Sequence, residues 1–385
     1  VNFTQPLPLS LYVHYPWCVQ KCPYCDFNSH TLKQEVDEAA YIKALIVQLE
    51  RLLPQIWGRP IVSIFFGGGT PSLISEEGLN RFLSQARALL GFSPEIEITL
   101  EANPGTVDFE KFAGFYEAGI NRLSMGIQSF ENEKLQALGR IHSSDEAHKA
   151  ILAAKSAGFK NFNLDLMFAL PNQTLEQAIA DVEQAISYQP PHLSHYQLTL
   201  EPNTPFYKNP PILPNDDQAW EFQQACQQVI ANAGYEHYEV SAYAQKNRQC
   251  KHNLNYWQFG DYIGLGAGAH GKITMAPEGR ILRTQMPASP GGYVEAMKSP
   301  NAGRTHWLEE ADAIFEFMLN ALRLQQGFDL NLFTLRTGLP QNRINEILED
   351  LQAQALIGIN QDNWLMLTDK GQQYLNNVVS AFLNE

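Results

Sequence analysis

Cys18, Cys22 and Cys25 form a C-x3-C-x2-C set of three thiols within eight residues. Four thiolates would close a tetrahedral zinc site or fill every iron of a 4Fe-4S cube. Three leave one cluster iron without a protein ligand, free to take a small molecule. Pro23 limits how the loop flexes. Two plainer readings stand beside the cluster. A zinc site would need His14 or His30 as fourth ligand, and neither makes the usual paired spacing. A disulfide fits poorly with five cysteines, an odd number, in 385 residues; residues 1–10 also lack the basic and long apolar stretches that direct export. The expectation is a reducing, cytoplasmic setting.

Other residues could complete a site around an open iron. Glycines at 67–69, followed by Thr70, let backbone approach a ligand where a side chain would block it. Glu101 and Asp165 can accept from ribose hydroxyls or an ammonium group, Gln128 offers an amide, and Arg140 can grip a carboxylate in bidentate fashion. A zwitterionic nucleoside suits this set. Taken singly, Arg140 could be a surface side chain and Asp165 a structural partner.

The elements that must position these groups are legible as an alternation. Short β-branched or aromatic runs at 9–15, 61–66, 96–101, 122–128, 162–168 and 193–200 are separated by amphipathic helical runs. Helices are expected at 36–53, at 75–90 with Ser75 as N-cap, at 108–118 stopped by Gly119, and at 145–157 ending at Gly158. A fifth, at 174–188, opens on the capping-box pattern Thr174-Leu175-Glu176-Gln177. Six βα units on right-handed crossovers curl into a partial barrel whose reactive rim lies at the C-terminal ends of the strands. The cysteines follow the first strand, the glycines the second, Glu101 and Gln128 end the third and fourth, Asp165 lies within the fifth, and Glu201 closes the sixth. Loops at such ends are polar and glycine-rich simply because they turn the chain. That accounts for the glycines but not for Gln128 and Asp165 inside apolar runs.

A 44% hydrophobic chain of this length can bury a large core divided among two or three domains. No apolar run approaches the roughly 18 residues of a transmembrane helix, which leaves peripheral contact as the membrane association open to it. A net charge of -14 without a Lys/Arg cluster argues against nucleic acid as a partner. The expected organisation is a barrel over 1–215, a connecting region over 216–304 and a C-terminal domain over 305–385. The connecting region holds a helix at 216–233, an extended run at 235–243, His252-Asn253-Leu254-Asn255-Tyr256-Trp257, and a glycine-rich stretch at 264–271. A dinucleotide fingerprint is rejected there for want of a βαβ context. Residues 286–304 read as a loop. The last segment reads as helices at 310–326, 330–337 and 341–354, short strands at 356–359 and 364–367, and a helix from Asp369, an α+β winged-helix-like order. Residues 310–385 carry four basic and ten acidic residues, the wrong sign for DNA, and suit a lid or packing domain.

C-x3-C-x2-C preceded by Tyr12, then GGGTP, EANP, GIQS and the Leu164-Asp165-Leu166 strand in that order, resembles the radical S-adenosylmethionine (SAM) superfamily. More narrowly the chain is similar to the branch holding the oxygen-independent coproporphyrinogen III oxidases and the HemW heme chaperones. The resemblance covers nearly the whole chain. It implies that Cys18, Cys22 and Cys25 hold a 4Fe-4S cluster whose fourth iron is chelated by SAM. Tyr12, Tyr24, Gly68, Gly69, Thr70, Glu101, Gln128, Arg140 and Asp165 match positions that contact SAM. In the superfamily, reductive cleavage of the sulfonium releases a 5'-deoxyadenosyl radical.

Departures separate the two members of that branch. The oxidases carry a fourth cysteine two residues after the third and a long segment before the cluster; here position 27 is Phe27 and seventeen residues precede Cys18. His252-Asn253-Leu254-Asn255-Tyr256-Trp257 matches the H-N-x-x-Y-W signature of the chaperones, which implies His252 as a heme ligand, imidazole being a good axial ligand with flat rings beside it. On local sequence alone the plainer reading of His252 is a structural histidine beside a buried tryptophan. Cys250 and His270 are lesser heme-ligand candidates, and Cys226 reads as a core thiol. The expected function is binding heme and delivering it to an unidentified acceptor protein, with porphyrinogen decarboxylation as the rival and a zinc-stabilised interaction protein as a distant third.

Overall fold

The computed structural model describes residues 3, 5–32, 36–106, 111–300 and 302–383. Six parallel strands form its centre: β1 (Leu9–Tyr15), β2 (Ile61–Gly68), β3 (Phe92–Ala102), β4 (Arg122–Gln128), β5 (Phe162–Phe168) and β6 (His192–Gln197). They lie side by side in chain order, each crossover advancing one strand, which curls the sheet in one direction as expected for a partial barrel. Period-2 alternation sorts their side chains. On β1, Leu9, Leu11, Val13 and Tyr15 are buried in the main apolar core with Leu45, Phe82, Phe115, Ile151 and Val182 of the surrounding helices. The alternate residues Ser10, Tyr12 and His14 occupy the other face, so the barrel interior is polar.

The helices begin where their caps dictate. Ser75 Oγ accepts from Gly78 N, and Thr174 with Gln177 closes a capping box. The helix expected from 145 starts one residue earlier, at Ser144, because Ser143 forms a capping box with Glu146. The expected start at Asp108 lies outside the described residues; Lys111–Ala118 is helical.

Residues 216–304, expected to connect two domains, instead build onto both edges of the sheet. After the helix Asp216–Asn232, β7 (Glu236–Glu239) and β8 (Ala242–Ala244) extend the β6 edge in antiparallel fashion. On the far side β9 (Asp261–Leu265) lies parallel to β1, followed by antiparallel β10 (His270–Met275), β11 (Arg280–Gln285) and β12 (Arg304–Trp307). The order is β12-β11-β10-β9-β1-β2-β3-β4-β5-β6-β8-β7. The stretch read as a loop, 286–304, contains a helix, Pro290–Ala296, capped by Ser289 and anchored by buried Tyr293, whose O–H donates to Gln48 Oε1 at 2.8 Å.

The C-terminal unit has three strands, β13 (Phe328–Asp329), β14 (Ile357–Ile359) and β15 (Trp364–Leu367), ordered β13-β15-β14. The first helix stops at Ala321 and the third is divided into a 3-10 turn, Gln341–Arg343, and Asn345–Ala353. A separate apolar core around Phe317, Phe333 and Leu365 includes Phe259 and Ile281 of the preceding segment, which seats this unit against the sheet. Among the described residues no helix is long and apolar enough to cross a membrane.

Candidate functional site

The cysteine loop is fastened where β1 ends. Trp17–Cys18 pairs with His30–Thr31, Gly69 N donates to Tyr15 O (2.7 Å) and Thr70 N to Trp17 O (2.7 Å). Only glycine permits this closeness: a Cβ on Gly69 would lie 2.5 Å from Trp17 O, and one on Gly68, at φ 114°, 2.5 Å from the His14 ring. The glycine run therefore joins the ends of β1 and β2 into one wall.

Above that wall is a cavity of about 590 Å³ at the rim of the barrel, lined by Cys18, Cys22 and Cys25. Of the nine residues expected to contact SAM, Tyr24, Gly68, Gly69, Thr70, Glu101, Gln128, Arg140 and Asp165 line the same cavity. Tyr12 does not; it lies deeper in the barrel, its hydroxyl hydrogen-bonded to His14 Nδ1 at 2.9 Å. Ser124, Met167 and Tyr196 also line the cavity and were missed from sequence. For Ser124 and Met167 the signal was period 2, since they share strand faces with Gln128 and Asp165.

The polar groups here are incompletely matched. Burial, and then the nearby Asp165, push the Glu101 carboxyl up to about 8, against one stabilising bond from Gly68 N at 3.3 Å. Burial also raises Asp165, which accepts from Asn163 Nδ2 (2.8 Å) and Ser124 Oγ (3.1 Å). Gln128 holds φ 62° beside a register shift between Gly126 and Gln128, a left-handed backbone costing roughly 1–3 kcal/mol. Its Oε1 is buried without a hydrogen-bond partner. Arg140, far from being a surface residue, donates to Gly126 O (2.9 Å) and to Cys22 Sγ (3.6 Å). Two carboxyls, an unmet amide oxygen and a guanidinium leave room for a ligand carrying both a cation and a carboxylate.

The donor set fits an iron-sulfur cluster. All three thiols are free, and burial raises the pKa of Cys18, so metal capture must drive deprotonation. A single zinc ion fits less well. His14 engages Tyr12 through Nδ1 and Asn28 O through Nε2 (2.8 Å), so its ring nitrogens are already used inside the protein.

His252 is not at this rim. It sits at the opposite end of the barrel on the helix Lys251–Trp257, 1% exposed, with Nδ1 hydrogen-bonded to Ser63 Oγ (2.9 Å) and Nε2 to Tyr256 O–H (3.1 Å). Cys250 is equally buried, its thiol pushed up to about 12 chiefly by burial, and Cys226 is a core thiol. His270 is exposed at the start of β10.

A parallel partial barrel with three thiols and a nucleoside-sized polar cavity at its rim defines the radical SAM class. The Radical SAM superfamily profile matches residues 12–185, and the HemN C-terminal domain profile matches 308–374. The solved structure of coproporphyrinogen III oxidase (HemN) from Escherichia coli shares the fold, with a TM-score of 0.81 at 22% identity over 98% of this chain and 90% of that one. Likeness in sequence is stronger elsewhere. The heme chaperone HemW of Escherichia coli (strain K12) is 47% identical over 378 residues, 98% of this chain and 99% of that protein. HemW of Haemophilus influenzae is 48% identical over 382 residues (98% of each), and that of Bacillus subtilis 34% over 385 (98% and 99%). The chain belongs to the HemW family.

Proposed function

We propose that this protein is a cytoplasmic heme chaperone that binds heme and passes it to an acceptor protein, on a radical SAM scaffold carrying a 4Fe-4S cluster and SAM. The observation that carries this reading is the end-to-end likeness to proteins named heme chaperone HemW. Phe27 agrees with it: where an oxidase has a fourth thiol, this chain presents a 59% exposed aromatic ring at the cavity wall.

Cys18, Cys22 and Cys25 would hold the cluster, which when bound would supply one-electron reducing power. Glu101 and Asp165 would receive the cationic and hydroxyl groups of the nucleoside, where a nearby positive charge would favour the ionised form of Glu101. Gln128 Oε1 accepts a donor, while Arg140 braces Cys22 and faces the carboxylate. Gly68 and Gly69 keep the cavity wall there free of side chains. Under this reading cluster and SAM govern oligomerisation or heme release rather than turnover of a porphyrinogen. Heme ligation by His252 would require the Lys251–Trp257 helix to leave the barrel.

The test is anaerobic. Reduced, cluster-loaded protein is titrated with heme while the Soret band is recorded, and incubated in parallel with SAM and coproporphyrinogen III. A saturating Soret change without vinyl-bearing product is expected; vinyl-bearing product would replace the chaperone with the oxidase.

A further inference from the structure

We infer that Asp181 is a positioning residue of the SAM cavity: from the helix layer its carboxylate clamps the turn that ends β4, and so sets the Gln128 amide and the Arg140 guanidinium for the ligand. This rests on SAM occupying the rim cavity, as proposed above.

Asp181 is an unusual residue for its place. On the helix Leu175–Ser187 the buried face is made by Ala178, Val182 and Ala185, and Asp181 lies among them, 3% exposed. A carboxylate on an apolar face is costly unless donors meet it. Two donors do, and both belong to the chain just beyond Gln128: Ser129 Oγ donates to Asp181 Oδ2 at 2.7 Å, and Phe130 N donates to Oδ1 at 2.7 Å. Burial pushes the Asp181 carboxyl up to about 6 while those two bonds pull it back, so it is ionised at neutral pH. Lys134, also buried, gives its Nζ to Asn172 O (2.8 Å) and Pro171 O (3.4 Å). The carboxylate serves the turn.

That turn needs a clamp. Ser129 N donates to Ile127 O at 2.9 Å, closing a three-residue turn on Gln128 at φ 62°. A positive φ at the centre of such a turn is the rare and strained form. The register against β5 shifts at this point, with Gly126 opposite Asp165 and Gln128 opposite Leu166. An extra residue of this kind re-aims the side chains around it. Ser129 Oγ also accepts from Glu131 N at 3.0 Å, so Asp181 holds three successive residues beyond Gln128, two directly and one through the serine.

What the turn carries lies on the cavity side. Gln128 and Arg140 both line the cavity, and they meet over Gly126, where a Cβ would stand 3.0 Å from Gln128 Nε2 and 3.2 Å from Arg140 Nη2. Arg140 Nη2 donates to Gly126 O at 2.9 Å and Nη1 to Cys22 Sγ at 3.6 Å, so the start of the turn seats the guanidinium that reaches the cysteine loop. Every link from Asp181 to the cavity is a hydrogen bond or a peptide bond. Without the carboxylate, Phe130 N–H and Ser129 O–H lose their acceptor, the strained turn relaxes toward an extended strand, and the amide of Gln128 leaves its place beside Arg140.

The experiment compares full-length, cluster-reconstituted parent with Asp181→Ala, Asp181→Asn and, as a control on the same helix face, Val182→Ala, which loosens the core without removing a bond to the turn. SAM affinity is read by equilibrium dialysis, the site by the SAM-induced change in the reduced cluster's electron paramagnetic resonance spectrum, and stability by thermal melting. We expect Asp181→Ala to bind SAM at least fivefold more weakly with an altered spectrum, and Val182→Ala to bind it within twofold of the parent although its melting temperature falls. A loss below fivefold in Asp181→Ala overturns the inference, and so does an equal loss in Val182→Ala. Should Asp181→Ala fail to fold, Asp181→Asn decides: it keeps one oxygen for Phe130 N, so a weakening of at least twofold is expected and a smaller one overturns the inference. A parent that holds its cluster but binds no SAM overturns the SAM reading and this inference with it; a parent that binds SAM no better than the Asp181 variants overturns this inference alone.

Discussion

The two ends of the barrel are made from the same strands and similar residues, yet their polar groups are satisfied to different degrees. At the floor Asp261, with no exposed side-chain surface, takes Lys272 Nζ at 2.9 Å, Arg59 Nη2 at 2.8 Å, and the N–H and O–H of Thr274 at 2.8 Å each. Burial alone would raise this carboxyl, but the two cations outweigh it and hold the group below its ordinary range. At the rim Glu101 and Asp165 are pushed upward and Gln128 Oε1 has no partner. The difference teaches where a ligand belongs: buried polar capacity closes on itself where the fold needs rigidity and stays open where another molecule completes it.

The sharpest test of the rim is removal of a thiol. Cys22→Ala should reduce the iron content of anaerobically reconstituted protein from about four per chain to near zero, with loss of the brown charge-transfer absorbance. Next comes the floor. Asp261→Asn strands Lys272, 1% exposed, and should cost about 3–5 kcal/mol in denaturant unfolding. A loss no larger than that of Glu101→Gln would erase the contrast between the two ends. Third, Arg140→Lys should keep the cluster but lower SAM affinity by about tenfold, since an ammonium cannot brace Cys22 and Gly126 together.

A fourth effect is set by pH. Glu101 moves from an ordinary 4.5 up to about 8 on folding, so between those values the folded chain holds a proton that the unfolded chain has lost. Stability of the ligand-free protein therefore falls as pH rises from about 4.5 to about 8, and Glu101→Gln should flatten that slope in thermal melts. The smallest effect is expected at position 27. Phe27→Cys should leave iron content unchanged and SAM affinity within twofold, because this exposed residue adds a thiol to a cluster already holding its protein ligands.

Sequence carried the rim better than the floor. β-branched runs and caps placed β1 to β6 closely, and strand-end position singled out Gln128 and Asp165 before any geometry. The left-handed backbone of Gln128 was not legible, because a bulge of one residue leaves no compositional trace. Nor were β9 to β12. Their glycines raised only a dinucleotide fingerprint, rejected for want of context, yet Gly264 is glycine because the backbone of His270 lies against it. The surroundings of His252 agree with the plainer reading of its local sequence, a structural histidine, but its partners Ser63 and Glu97 come from β2 and β3, too far along the chain for local sequence to name them.

One edge of β1 is filled by β9, with Leu9 opposite Asp261 and Val13 opposite Leu265, roughly 250 residues further along the chain. At ribosomal speeds of about 5–20 residues per second the first strand waits roughly 12–50 seconds for that neighbour. The cysteine loop springs from the end of this half-paired strand. The wall that carries the three thiols is therefore complete only once residues 261–265 have been made and have paired with β1.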